Sequence, residues 1–506
     1  MASGLIPAES RAEHRGLAYW MERVLKELEN VRSSPDTDAV HDLRVAIRRC
    51  RSVAAVMEEV DPDPAWRDMR KAARKLFHRL GELRDIQVLA DWTKTFSTEG
   101  DPVREILLTA FAKNEEDFRG SALRAVEKFD QKHWKHLEET LAARSRRVPP
   151  DCLAAECLAL ERLETAKHHH AAALRTEQPE PWHELRIGIK RFRYIVESLL
   201  PRRYEAWSEN LKRLQDLLGE VHDFDVLSAT IENIAAHAPG ESREHWRERI
   251  ASERHAHLET YRQLTLGKTS LWHEWREGLA QGERLDRAAQ ARLRVTARAM
   301  DRRPRRTSQV ARIAMRLFDS FRRVHVGMPF GDPELRKVMR AAARLHSIGA
   351  SLNSRAPSKA ARKFLRDMVP PPGWSKLHWK LLAQIVRYHR GGEPKARHKS
   401  YARLDETQQQ TIRALAGILR LARALRKSKV QSTVGMRVEK SVDALILHIP
   451  GLEISESVAA RLAAGKHLLE TAVNRPVIVK SAPAVPKVVE MARVEPELPF
   501  HAAASD

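Results

Sequence analysis

The feature that most constrains this chain is an internal duplication. The stretch His41-Asp42-Leu43-Arg44-Val45-Ala46-Ile47-Arg48-Arg49-Cys50-Arg51 recurs as His183-Glu184-Leu185-Arg186-Ile187-Gly188-Ile189-Lys190-Arg191-Phe192-Arg193. At nearly the same separation, Leu80-Gly81-Glu82-Leu83-Arg84-Asp85 recurs as Leu218-Gly219-Glu220-Val221-His222-Asp223. Two matches in one order make each segment part of a repeated unit, so neither motif can be read alone.

On a helix turning about 100° per residue, His41, Arg44, Arg48 and Arg51 fall within roughly 80° of arc. They form one cationic stripe without acids, and His183, Arg186, Lys190 and Arg193 repeat it. Leu43, Ile47, Cys50 and Ala54, matched by Leu185, Ile189, Phe192 and Val196, occupy a different face, so each helix has a side to bury and a charged side to present. Like charges three or four residues apart cost a few tenths of a kcal/mol per pair. A stripe kept acid-free in both copies therefore points to a bound anion. Pro35 and Pro181 upstream place the two histidines in the first turn of their helices, where free N–H groups also favour an anion.

A formal net charge of +22 fits the same class of partner: polyphosphate, nucleic acid or anionic lipid. The length of 506 residues calls for two or more cores. Few aromatics and scarce strand-type runs make the chain mainly α. Cys50, Cys152 and Cys157 are too few for a disulfide framework, and their spacing fits no common zinc motif. His168-His169-His170 reads as a surface cluster, since consecutive helical positions diverge by about 100°. No run reaches the roughly 18 apolar residues needed to span a bilayer, so a cytoplasmic protein without membrane insertion is expected. No nucleotide loop, nucleophile elbow or zinc-protease motif is present, and no catalytic residue, metal or cofactor is assigned.

Proline and glycine punctuation at Ser34-Pro35, Asp61-Pro62, Pro149-Pro150, Pro179 to Pro181 and Pro239-Gly240 divides residues 10–283 into successive helices. The two repeats run from about 10 to 148 and from 151 to 283. Residues 284–304 read as a basic linker, 305–480 as a second helical domain, and 481–506 as a disordered tail. Alternation between Val434 and Leu452 predicts a hairpin, and 476–479 a further strand, so a small β-sheet closes the second domain.

With its paired His-x-x-Arg-x-x-x-Arg/Lys-x-x-Arg segments, each followed by Leu-Gly-x-x-x-Asp, the first region resembles the CHAD family, the conserved histidine α-helical domain. The resemblance implies duplicated four-helix bundles with pseudo-twofold symmetry around a basic channel that binds inorganic polyphosphate. Its contacts carry over to His41, Arg44, Arg48, Arg51, His183, Arg186, Lys190 and Arg193. Arg74 and Lys75 align with Lys212 and Arg213 in helices expected to end at Gly81 and Gly219, and these four cations are added. Asp85 and Asp223 have two readings, orienting neighbouring cations or capping or beginning the following helices, and are left out of the contacts.

The second region is similar to the C-terminal helical part of the exopolyphosphatase and guanosine pentaphosphate phosphohydrolase family. The resemblance rests on Ala341-Ala342-Ala343-Arg344-Leu345-His346-Ser347-Ile348-Gly349, Ile385-Val386-Arg387-Tyr388-His389-Arg390 and Leu419-Arg420-Leu421-Ala422-Arg423-Ala424-Leu425. It implies an HD-like domain, in which a His-Asp pair and a later Asp would hold a metal. Here Ser347 and Arg423 stand at the two Asp positions, so the metal site is degenerate and a non-catalytic protein is expected. His389 and Arg390, in a basic loop with Lys395, Arg397, His398 and Lys399, are secondary polyanion contacts.

The expected function is non-catalytic binding of inorganic polyphosphate, with other phosphate-rich polyanions as further partners, in storage, granule association or targeting. The first rival, nucleic-acid binding, lacks the stacking side chains it would need, since the stripes hold little beside Phe192 and Tyr194. The second, a metal-dependent phosphohydrolase, would have only Asp85, Asp223 and Asp225 near the stripes.

Overall fold

The computed structural model describes residues 16–34, 36–327, 329–430 and 432–483. Of the tail expected over 481–506, all beyond 483 lies outside the described residues, as do Pro35 and the first positions of the region begun at residue 10. The described chain forms two compact units, one of residues 16–300 with 371–374, the other of 301–370 with 375–483.

In the first unit, α1 (Leu17–Ser33), α2 (Thr37–Val60), α3 (Pro64–Ala72), α4 (Arg74–Phe96), α5 (Pro102–Glu127) and α6 (Gln131–Ser145) make one repeat. The other comprises α7 (Leu153–Ala173), α8 (Pro179–Leu199), α9 (Pro201–Ile234), α10 (Gly240–Thr265) and α11 (Leu271–Glu277). The packing repeats with the sequence: α1 lies on α2 and α4 on α5, as α7 lies on α8 and α9 on α10. Leu43, Ile47, Cys50 and Ala54, with Leu185, Ile189, Phe192 and Val196, are sealed from solvent in one core shared by both repeats. A smaller core crosses them through Leu107 and Phe111 of the first repeat and Phe224 and Trp246 of the second. The Trp246 indole donates to Asp101, which also caps α5 by accepting from Val103 and Arg104, so one repeat secures a helix start in the other.

Three sequence expectations are corrected here. The helices do not end at Gly81 and Gly219; both glycines lie inside α4 and α9, because Leu76, Leu80 and Leu83, and likewise Leu214, Leu218 and Val221, continue a buried helical period through them. Residues 284–304 are not simply a linker, because α12 (Gly282–Met300) packs on α7 with Ala288, Ala289, Leu293 and Ala297 buried. His170 is not on the surface; it is buried, its Nδ1 2.7 Å from the Tyr261 hydroxyl, and burial pushes it down to about 4.

In the second unit, α13 (Pro304–Arg323), α14 (Pro333–Leu345), α15 (Gly349–Leu352), α16 (Pro357–Asp367), α17 (Lys376–Tyr388), α18 (Lys399–Ala402) and α19 (Glu406–Lys427) precede a three-stranded sheet. Strand β1 (Arg437–Lys440) pairs antiparallel with β2 (Leu445–Pro450), Val438 opposite Leu447. After α20 (Glu456–Val473), β3 (Val477–Ala482) returns parallel to β2, with Leu447 opposite Val479. The small sheet is thus as anticipated, with β3 three residues longer at its C-terminal end than the strand read from sequence.

Helices α19 and α20 cross closely because glycine sits at the contact on each. A Cβ at Gly417 would lie 2.7 Å from the Leu469 backbone nitrogen, and one at Gly465 would lie 2.8 Å from the Ala424 Cβ. Gly417→Ala is therefore expected to cost about 1–3 kcal/mol through overpacking against backbone, read as a lower urea midpoint. An unchanged midpoint would mean that the two helices separate cheaply.

Candidate anion-binding cleft

Helix α2 packs on α8, and an ion pair between Arg49 and Glu197 fixes their relative rotation across the repeats. That contact turns both cationic stripes into one cleft of about 960 Å³. Its walls include Arg44, Arg48 and Arg51 from α2, and His183, Arg186 and Lys190 from α8. Six of the sequence-selected residues are thereby brought together. His41 does not line the cleft; its pKa is lowered by the partial burial of its ring and by Arg48, Arg84 and Arg44, against Asp42. Arg193 is half-buried outside the cleft wall, with one guanidinium nitrogen 3.4 Å from the Tyr204 hydroxyl.

Arg74, Lys75, Lys212 and Arg213 are exposed and do not line the cleft. Burial of Leu76 and Leu80 on α4, and of Leu211 and Leu214 on α9, turns these positions to solvent. His41 and His183 also lie beyond the first turn of their helices, which begin at Thr37 and Pro179. At the start of α2 the Asp36 carboxylate already accepts from the Ala39 N–H at 2.8 Å, so the helix terminus is capped from within.

The two rows are held differently. Arg44 donates to the carbonyls of Leu80 and Gly81 at 3.3 and 3.2 Å, and a Cβ on Gly81 would touch its guanidinium at 3.6 Å. Arg51 donates to the Arg70 carbonyl at 2.7 Å, and both guanidiniums lie over the Phe77 ring. In the second repeat nothing comes within 4 Å of a Cβ on Gly219. The Nε donors of Arg48 and Arg186 are enclosed but have no hydrogen-bond partner, an arrangement that favours an incoming acceptor. Lys190 is pushed down to about 7 by burial and by the neighbouring Arg186 and Arg48.

Several lining groups escaped selection from the sequence. His222 places Nδ1 3.3 Å from Nδ1 of His183 and is pushed down to about 4 by burial, Arg186, His183 and Lys190. Its counterpart Arg84 in the repeat offered a signal for it. Tyr194 adjoins the second stripe, whereas Arg70 and Arg162 come from sequence neighbourhoods that carried no signal. The stripes themselves carry no acid, but the cleft they form does. Asp85 and Asp223 sit inside α4 and α9, where they line the cleft instead of capping helices. Asp85 lies 3.7 Å from Arg44. Asp223 is pushed up to about 6, first by burial, with Arg186 opposing and Asp85 reinforcing the shift. Glu58 and Glu59 also line it, but are paired with Arg70 and Arg162.

In the second unit His389 is buried and donates Nδ1–H to the Val386 carbonyl at 2.7 Å, which corrects its selection as a surface contact. Arg390 is exposed. The buried His346 likewise donates to the Ala343 carbonyl at 2.9 Å, and the two rings meet edge to face at 5.2 Å. Ser347 is bonded to Thr307 at 3.0 Å, while Arg423 donates to the His389 carbonyl at 3.3 Å. An HD-type metal does not fit this group, because a guanidinium occupies a carboxylate's place. Among the described residues no three His, Cys, Asp or Glu side chains form a metal-holding group, and no helix is long and apolar enough to cross a membrane.

Comparison with known proteins places both regions. Residues 16–232 match the family model of the CHAD domain, and residues 300–457 match that of the Ppx/GppA phosphatase, domain III. No curated protein matches the chain. Among solved structures, the crystal structure of the CHAD domain from the plant Ricinus communis aligns at 20% identity with a TM-score of 0.37, over 54% of this chain and 95% of that one. Residues 16–232 are thus similar to a CHAD domain and residues 300–457 to a Ppx/GppA-type domain III.

Proposed function

We propose that the cleft of the first unit binds inorganic polyphosphate without hydrolysing it, in polyphosphate storage, granule association or targeting. The observation that carries this reading is the convergence of Arg44, Arg48 and Arg51 with His183, Arg186 and Lys190 in one cleft, where the Nε donors of Arg48 and Arg186 are still unpartnered. Guanidiniums present fixed donors to phosphoryl oxygens, and release of the chain's counterions adds to the binding. The presence of Arg423 beside His346 and His389 supports a non-catalytic role, because its charge opposes the cation that hydrolysis of the HD type requires.

The test is a competition at near-physiological salt between long polyphosphate and single-stranded DNA of equal charge. Polyphosphate is expected to win by at least tenfold, because the aromatic groups of the cleft, Phe77 and Tyr194, already lie against guanidiniums instead of standing open to bases. Equal displacement would replace this reading with general polyanion binding. Phosphate release above background with magnesium or manganese would overturn the non-catalytic part.

A further inference from the structure

A second cluster of cations in the other unit is built around one histidine. The His398 ring stacks on Tyr388 at 5.7 Å, and its Nδ1 lies 2.9 Å from the Tyr388 hydroxyl. The backbone N–H of Lys395 also donates to that nitrogen at 3.2 Å. A backbone N–H can only donate, so Nδ1 carries the lone pair and the ring proton is placed on Nε2. The free nitrogen of His398 is therefore a donor even in the neutral ring.

Its surroundings are cationic. Arg397 adjoins His398 in the chain, the Arg387 guanidinium lies over the Tyr388 ring at 5.4 Å, and Lys395 and Lys359 lie within the field of the His398 ring, as Arg387 lies within that of Arg362. Among the described residues none of Lys359, Arg362, Arg387, Lys395 or Arg397 is in an ion pair. The nearby acids are already engaged, Glu393 with Arg420 and Asp367 with Arg366. Lys359, Lys395 and Arg397 are exposed. A fixed neutral donor among unpaired cations suits phosphoryl oxygens, which accept from N–H groups and carry charge on every unit.

We propose that His398, with Lys359, Arg387, Lys395 and Arg397, forms a second contact site for a phosphate chain on the second unit. The identity of the chain as polyphosphate rests on the reading of the cleft, but the site itself does not. The test uses the full-length protein with Arg48→Gln and Arg186→Gln in the cleft, titrated with inorganic tripolyphosphate and with long polyphosphate at low salt. The His398 Nε2 resonance is expected to shift, and Lys359→Gln with Arg397→Gln, both exposed positions, is expected to remove that shift and the residual binding. With the cleft intact, the same pair should weaken long-chain binding three- to tenfold and lower the slope of log affinity against log salt by roughly 0.7 per cation removed.

No residual binding and an unmoved His398 would overturn the site. An equal response to single-stranded DNA of the same charge would reduce it to a nonspecific basic surface and overturn it too. If the cleft substitutions leave affinity intact while the surface pair abolishes it, the reading of the cleft fails and this site stands.

Discussion

Replacing Arg48 and Arg186 together by glutamine is expected to weaken binding of long polyphosphate by about 100-fold. The two guanidiniums come one from each repeat's stripe and face one cleft, each with an enclosed Nε that lacks a partner. A hydrogen bond to a charged group in such a setting contributes about 1.5–3 kcal/mol, and each 1.4 kcal/mol is a factor of ten in affinity. Losing two such contacts therefore reaches 100-fold near the lower end of the range. The slope of log affinity against log salt should fall by roughly 0.7 per guanidinium removed. Lys75→Gln with Lys212→Gln removes the same charge from exposed positions outside the cleft and is expected to change affinity less than threefold. Isothermal titration of both pairs, with thermal unfolding as a check on folding, decides the matter. Equal losses in the two pairs would mean that overall charge, not the cleft, does the binding.

The helices and the cleft were legible to different depths. The dry face of α2 was readable because burial imposes a helical period, and Leu43, Ile47, Cys50 and Ala54 are all inaccessible to solvent. The duplication carried that reading to α8, and it also selected six of the residues that line the cleft. What periodicity could not supply was the contribution of other helices. Arg70 and Arg162 enter from α3 and α7, and no local pattern marks them. Gly81 and Gly219 looked like helix ends because glycine commonly ends helices, yet the buried apolar residues on either side outweigh that preference in the folded protein. His389 looked like a loop contact because its neighbours are basic, whereas its own side chain fills the interior beside His346. Asp85 and Asp223 were misplaced for the same reason as the glycines: with α4 and α9 unbroken, both carboxylates remain on the helix face that meets the stripes.

Asp223 and Lys190 are expected to make polyphosphate affinity fall as pH rises, and this is the second large effect. In the free protein Lys190 is pushed down to about 7, by burial first and then by Arg186 and Arg48. The groups facing it are Arg44 and Arg48 from α2, Arg186 from α8 and Asp223 from α9. A bound phosphate chain adds negative charge beside the ammonium and raises its pKa toward the ordinary lysine range. A group whose pKa is higher in the complex than in the free protein gives its full contribution below the free pKa. That contribution is lost as pH rises from the free to the bound value, by up to about tenfold per pH unit. Asp223, pushed up to about 6, acts in the same direction: an anion favours its protonated form, so its ionisation above that pH adds repulsion. Long chains isolate the protein's contribution, since only their terminal phosphates change charge in this window. Affinity is thus expected to drop at least tenfold between pH 6 and 8.5. Lys190→Arg, which keeps its charge, should flatten the part above pH 7, and Asp223→Asn should flatten the part near pH 6 while tightening binding at pH 8. Titration in buffers of different ionisation enthalpy should show proton uptake on binding at pH 8. A wild-type profile that is level across the range, or one that Lys190→Arg leaves unchanged, would show that the phosphate chain does not reach Lys190 in the cleft.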